Sequence, residues 1–332
     1  MNTDTPQQDA PHARAEQERI VAVVVTYNRE ALVTDCLDAI AAQTRRPDAV
    51  VVVDNASTDA SGRLAAEHPL GADVLHLTRN VGGAGGFAAG TARALIDHRA
   101  DWVWIMDDDT VPTPTALQAL QDALLASPVR LSVLSSRAVW TDGREHPMNR
   151  SRPRPFASAE EKADAVTAAG PGARPVRTAS YVSVLLNGQD VRRLGLPVAD
   201  YFIWSDDFEH TGRLLREGRG VHVPRSVVEH RTTVFSAAQT DPGGRFYYEV
   251  RNRLWSLLRS SSFTGFERVL YGGRTALGWA RILLRGRGHL LGTGLRGARD
   301  ALRRAPRPSA VVLAADPEAA DRVRRIERVA GR

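Results

Sequence analysis

From Ile20 onward the chain alternates short apolar runs with amphipathic stretches. IVAVVVT, residues 20–26, is a continuous β-branched run of the kind that lies buried on both faces of a parallel sheet. After it, EALVTDCLDAIAAQT repeats Leu32, Cys36, Leu37 and Ile40 at helical spacing until Arg46-Pro47 breaks the pattern. AVVVVDN then ends a second strand at Asp54, Ala60 to Glu67 reads as a helix, and DVLHLTRN as a third strand. The glycine-dense VGGAGGFAAG reads as a turn, TARALIDHRA as a helix and DWVWIMDDD as a fourth strand. Such alternation predicts an α/β fold, a mostly parallel sheet flanked by helices. Thr26, Asp54, Arg79-Asn80 and Asp107 to Asp109 all stand at strand ends. They share the carboxyl edge, where open α/β sheets bind ligands.

Beyond Leu131 the alternation weakens. Residues 141–176, rich in Arg, Pro, Ala and Gly, read as a long surface loop. TASYVSVLLNG reads as a strand, and DYFIWSDDFEHTGRLLREG as a strand running into a helix that Gly218 stops, with Ser205 in position to cap it. VHVPRSVVEHRTT follows, and residues 244–300 are predominantly helical in pattern. Residues 1–18 are polar, lack an apolar signal-peptide core and read as a disordered lead. TALGWARILLRGRGHLLGTGL is broken by Arg281, Arg285 and Arg287 and is not expected to span a membrane.

Composition narrows the class. With 332 residues, 43% hydrophobic and 25% charged, the chain has the balance of a globular protein. The single cysteine, Cys36, excludes a disulfide framework and any Cys-rich metal site, which fits a reducing compartment such as the cytoplasm. The net charge of +6 is unevenly placed: residues 251–310 hold thirteen arginines against Glu267 and Asp300, a net +11, which leaves −5 for the rest. Arg268, Arg274, Arg281, Arg285 and Arg287 are interleaved there with Leu270, Trp279, Ile282, Leu283, Leu284, Leu290 and Leu291. That pattern suits either an anionic membrane surface, met peripherally at the inner face of the plasma membrane, or a helical subdomain packed on the body. It carries no zinc finger, basic zipper or RNP signature, so nucleic acid is not an expected partner.

Two acidic constellations carry candidate chemistry. Asp107-Asp108-Asp109 follows the apolar WVWIM, and strand alternation turns Asp107 and Asp109 the same way, able to share one divalent ion. The alternative is a water-exposed acidic loop. Trp204-Ser205-Asp206-Asp207-Phe208-Glu209 is the second; carboxylates in a first helical turn are favoured by the helix dipole even without function. Gly82, Gly83, Gly85 and Gly86 admit close backbone approach to a ligand, but no G-x-G-x-x-G occurs there and Asp54 precedes the glycines, which disfavours a dehydrogenase.

VVVTYNR, VVVDNASTD, NVGGAGGFAAG and WIMDDD, in this order, resemble the family 2 glycosyltransferases, inverting enzymes of the GT-A fold. Within that family FIWSDDFE, the later His230 and the Y-Y-x-x-R-N stretch at Tyr247–Asn252 look most like bacterial galactofuranosyltransferases and rhamnosyltransferases, above all those that start a cell-wall galactan in actinobacteria. The resemblance implies a nucleotide-sugar-binding half over 19–130, an acceptor-binding and catalytic half over 131–245 and a basic helical region over 246–332. It implies Mn²⁺ or Mg²⁺ held by Asp107, Asp109 and His230, with His222 as the rival histidine. Thr26, Tyr27, Asn28, Asp54, Arg79, Asn80 and Asp108 would line the nucleotide, Asp54 either on the base imide or in a turn before Ser57, and Arg79 on a phosphate. Asp207, with Asp206 next, would deprotonate the acceptor; Glu209 would bind the acceptor or support the site, and Trp204, Tyr248 and Arg251 would contact acceptor or diphosphate. The implied function is transfer of galactofuranose from UDP-galactofuranose to a polyprenyl-linked or polysaccharide acceptor. Transfer of rhamnose from dTDP-rhamnose, or non-catalytic nucleotide-sugar binding, are the alternatives.

Overall fold

The computed structural model describes residues 18–235, 242–284 and 288–331. The expected lead lies outside these residues except for Glu18, which accepts a hydrogen bond from Trp102 Nε1 at 2.6 Å. Arg285 and Arg287 also lie outside them.

Strands β1 (Ile20–Thr26), β2 (Ala49–Asp54), β3 (Asp73–His76) and β4 (Trp102–Asp107) alternate with helices α1 (Glu30–Ala41), α2 (Ser61–Glu67) and α3 (Gly82–Ile96). All four strands are parallel neighbours in the order β3-β2-β1-β4. The run in β1 is continuously apolar because both its faces are covered: Val21, Val23 and Val25 join Phe87 and Ala88 of α3, while Ile20, Ala22 and Val24 join Leu37 and Ile40 of α1. Each such side chain buried contributes about 1.5–3 kcal/mol.

The glycine-dense segment is the first half of α3 and not a turn. A Cβ on Gly86 would come 2.6 Å from a Val25 methyl, and one on Gly90 equally close to Val23, so the missing side chains let the helix sit directly on β1. Gly82 alone among these glycines has a left-handed backbone, φ +75°, and a Cβ there would strike the carbonyl oxygen of Phe202.

The sheet continues through β5 (Thr110–Pro112), helix α4 (Ala116–Ala126), β6 (Val133–Val139), β7 (Arg152–Pro153), α5 (Ala159–Ala169), β8 (Arg174–Thr178) and β9 (Val184–Asn187). Helices α6 (Gly188–Leu194) and α7 (Asp206–Leu214) lead to β10 (Gly220–His230). In this half β9 runs antiparallel to β4 and β6, β10 runs parallel to β6, and β5 adds antiparallel to the far end of β10. The expected loop over 141–176 therefore contains ordered elements. Helix α5 is started by a capping box in which Ser158 Oγ accepts from Glu161 N and Glu161 accepts from Ser158 N.

The expected strand before α7 is absent. Residues 202–205 form a loop with left-handed backbones at Phe202, Trp204 and Ser205, and Ser205 stands before the helix without its hydroxyl capping it.

Helices α8 (Phe246–Leu258), α9 (Gly265–Leu284), α10 (Leu291–Arg303), α11 (Ser309–Val312) and α12 (Pro317–Val329) complete the chain. The last one packs Ala319, Ala320, Val323 and Ile326 into the same core as α3. Helix α9 divides its apolar residues. Trp279, Ile282 and Leu283 pack toward Phe246 and Val250 of α8, whereas Phe266, Val269, Leu277 and Leu284 are exposed. Among the described residues no helix is long and apolar enough to cross a membrane.

Candidate active site

Parallel register sets Thr26 beside Asp54 and Val25 beside Asp107, so three strand ends meet at one edge. The short β5 then turns the chain so that Thr110 pairs with His230 on β10, and Arg231 N donates to Asp109 O at 2.8 Å. Through this pairing a residue 121 positions away in sequence reaches the aspartates. One ligand atom each of Asp107, Asp109 and His230 lies within 4.8 Å of the others.

His230 Nδ1 meets Asn149 Oδ1 at 2.9 Å, which leaves the lone pair on Nε2, 3.0 Å from Asp109 Oδ1. That oxygen is buried and has no properly oriented hydrogen bond. Two electron-rich atoms aimed at a shared point are what a cation between them would use, so the donor set fits a hard divalent ion. Electrostatics agree. Burial pushes the Asp107 carboxyl well up, and the charges of Asp109, Asp108, Asp206 and Asp207 push it further. Burial raises Asp109 but contact with His230 outweighs it, a proton on Nε2 standing in the place a cation would take. His146, whose ring centre is 5.1 Å from that of His230, is driven down to about 4 by burial and then by His230, and is neutral.

Asp108 turns the other way: it accepts from Tyr27 N at 3.3 Å, and burial with the Asp109 charge raises it to about 7. His222, the rival histidine, is 3% exposed, faces Ser135, and is pushed down to about 4 by burial and then by Arg174; the cluster with Asp107 and Asp109 includes His230 instead.

The charges of Asp206 and Asp207 reach Asp107 and raise it, so the second constellation lies near the first. Its position depends on the loop 202–205, and that loop on α8. Asn252 Nδ2 donates to the carbonyls of Tyr201, Ile203 and Trp204 at 2.8, 2.8 and 2.9 Å. Arg251 donates to the carbonyls of Asp200 and Tyr201 at 2.7 and 3.1 Å, while the Tyr248 ring stacks on Phe202 at 5.2 Å. Left-handed backbones at non-glycine residues cost about 1–3 kcal/mol each, and these contacts offset that cost. Arg251 and Tyr248, read from sequence as contacts to acceptor or diphosphate, are thus engaged in holding the loop.

At the start of α7 the two aspartates differ. Burial and the neighbouring Asp207 raise Asp206 to about 8. Asp207 is raised by burial too, but Phe208 N donates to it at 2.6 Å and Arg152 and Arg253 oppose the shift. A coupled pair of this kind holds one proton, and the arginines direct it to Asp206. Glu209 takes the supporting role of its two expected ones: 1% exposed, it receives hydrogen bonds from Arg213, Ser260 and Ser262.

Of the residues expected at the nucleotide, Asp54 accepts from Ser57 N at 2.9 Å with one oxygen and meets His76 Nδ1 at 3.0 Å with the other, so the turn reading of Asp54 is present. Thr26 is buried, and Tyr27, 42% exposed, stands at the mouth. Asn28, φ +52°, accepts from Thr58 N at 2.7 Å. Arg79, expected on a phosphate, donates to the carbonyl of Val312 in α11, and Asn80 accepts from Gly82 N, shaping the entry to α3. Sequence reasoning missed Asn149 and Arg152, which fall in the stretch read as loop, and Arg253, which carried no signal beyond being one arginine among many.

The chain matches the family model for glycosyl transferase family 2 over residues 21–181. It is 32% identical, over 203 residues, to the galactofuranosyltransferase GlfT1 of Mycolicibacterium smegmatis, covering 60% of this chain and 67% of that one. The chain belongs to glycosyltransferase family 2. Solved structures share this glycosyltransferase's fold. S. aureus TarS 1–349 in complex with UDP-GlcNAc aligns with a TM-score of 0.58 at 16% identity, covering 93% of this chain and 90% of that one. The mannosyltransferase PcManGT of Pyrobaculum calidifontis, in complex with GDP-Man and Mn²⁺, aligns with a TM-score of 0.51 at 18% identity, covering 96% and 92%. The matched family region contains the three aspartates and ends before Asp206, Asp207 and His230.

Proposed function

We propose that this glycosyltransferase moves galactofuranose from UDP-galactofuranose, with inversion, to a hydroxyl of a lipid-linked cell-wall glycan. The observation that carries the reading is the cluster of Asp107, Asp109 and His230, near enough to Asp206 and Asp207 for their charges to act on Asp107. Identity with GlfT1 supports the choice of sugar.

Asp107, Asp109 and His230 would hold Mn²⁺ or Mg²⁺, which when bound neutralises the donor's diphosphate. Asp207 takes the proton from the acceptor hydroxyl, whose oxygen forms the bond to the anomeric carbon from the face opposite the nucleotide. The bond from that carbon to the phosphate oxygen breaks and the diphosphate leaves with the electron pair. Trp204 lies at the acceptor side, and Asp54, Tyr27 and Asn28 at the nucleotide side. The exposed apolar stripe of α9 with Arg274 and Arg281 supports a peripheral site on an anionic membrane, which brings the acceptor's lipid within reach.

With a rhamnosyl-N-acetylglucosamine lipid-like acceptor and Mn²⁺, UDP-galactofuranose should be the donor used, and EDTA should abolish transfer until Mn²⁺ is restored. Transfer from dTDP-rhamnose in its place would make the protein a rhamnosyltransferase; transfer from neither would overturn the reading.

A further inference from the structure

Near Asp207, whose ionised form Arg152 and Arg253 favour, three side chains carry donors without a hydrogen-bonded acceptor among the described residues. Arg152 on β7 and Arg253 on α8 both place their guanidinium carbons over the ring of Phe208, at 4.7 and 4.2 Å from its centre. Phe208 in turn packs edge-to-face on Tyr271 of α9, with ring centres 5.6 Å apart. The Tyr271 hydroxyl is buried with no hydrogen-bond partner, the residue being 8% exposed, and Arg253 Nε is likewise buried and unpartnered. Arg152 makes no side-chain hydrogen bond to a described residue, and part of it stays open to solvent.

The carboxylate paired with Arg253, Glu249, stands at 3.8 Å, beyond hydrogen-bond length. Two like charges against one ring repel each other, and burial and then Arg253 pull Arg152 down to about 10. The Tyr271 hydroxyl, Arg253 Nε and the open guanidinium of Arg152 are donors that the oxygens of an anion would satisfy. Paired guanidinium groups match the oxygens of phosphate in particular. Arg177, buried close by, is tied to Glu267 and to the carbonyls of Gly212 and Ser262, so it adds no free donor.

We propose that Arg152, Arg253 and Tyr271 form an anion subsite that binds a phosphate or diphosphate group carried by the acceptor, next to the base. The proposal rests on the transferase reading for the word acceptor, but not for the anion. Placement explains the assignment. The donor's diphosphate belongs with Asp107, Asp109 and His230, whereas this subsite adjoins Asp207, where the acceptor hydroxyl is to be deprotonated. A glycan held through its linking phosphate at this subsite would have its sugars beside Asp207.

The test uses the full chain in EDTA, so that no cation contributes, with inorganic pyrophosphate and geranyl pyrophosphate as calorimetric probes. Arg152→Gln and Tyr271→Phe should each weaken binding of geranyl pyrophosphate by about tenfold, the loss expected for one hydrogen bond to a charged group. The melting temperature of Tyr271→Phe should stay near that of the parent, since the hydroxyl has no partner to lose. A parallel loss for inorganic pyrophosphate would assign the subsite to the phosphate alone; a loss confined to the geranyl compound would assign it to a lipid-linked phosphate. Unchanged affinity of both variants for both probes overturns the proposal, whatever sugar the enzyme transfers. In turnover, the same variants should raise KM for a phosphate-bearing acceptor and leave KM for the nucleotide-sugar donor unchanged. A raised donor KM would give the subsite to the donor and overturn the assignment to the acceptor.

Discussion

Asp206 and Asp207 are neighbours in sequence but differ in surroundings. Burial and the adjacent carboxylate hold Asp206 protonated up to about pH 8, and Arg152 and Arg253 favour the ionised form of Asp207. For an aspartate with a raised pKa, the folded protein keeps a proton that the unfolded chain has released above about pH 4. Stability therefore falls as pH rises from there to about 8. Asp206→Asn copies the neutral form and removes that dependence. Its melting temperature relative to the parent should climb over this interval, and its turnover at pH 7 should stay within about threefold, an amount below the usual contribution of a proton-transferring residue. A constant difference in melting temperature from pH 4 to 8 would show that Asp206 is ionised in the fold. None of this asymmetry is legible in the letters W-S-D-D, because the arginines that create it come from β7 and α8.

At the scale of elements, α8 acts as the clamp of the 202–205 loop. Asn252 is fully buried and serves three carbonyls of a loop with left-handed residues at Phe202, Trp204 and Ser205. Asn252→Ala should cost about 2–3 kcal/mol, the penalty for leaving buried carbonyls without a donor, read as a lower urea midpoint. Turnover should fall further than affinity for UDP, since the nucleotide side is built on β1 and β2. Equal losses in both would point to general unfolding. The strands and helices of the first half were readable because apolar runs and helical spacing are local signals. The glycine segment was misread because its glycines serve contact with Val23 and Val25, which only the folded sheet brings near. Similarly, WSDDFE looked like strand and cap, while its conformation is imposed by α8, some fifty residues on. His230 was found by resemblance; β5 pairing with β10 is what carries it to Asp109.

For the whole molecule, the uneven charge has a structural counterpart. The net +11 segment forms α8 to α10, and the outward face of α9 offers Phe266, Val269, Leu277 and Leu284 with Arg274 and Arg281. Each arginine near an anionic surface contributes about 1 kcal/mol, screened by salt. Cosedimentation with vesicles containing anionic lipid should therefore be strong at low salt, weaken at high salt, and be reduced by Phe266→Ser combined with Leu277→Ser; binding that ignores lipid charge would contradict it. The central claim is that one cleft joins a cation site for the donor to a base for the acceptor. The most direct measurement is turnover of Asp207→Asn beside its affinity for UDP in the presence of Mn²⁺. Turnover should fall by about 10²–10⁴, the usual contribution of a general base, with UDP affinity unchanged. Near-parental turnover, or a loss of UDP affinity that matches the loss of turnover, would contradict the account.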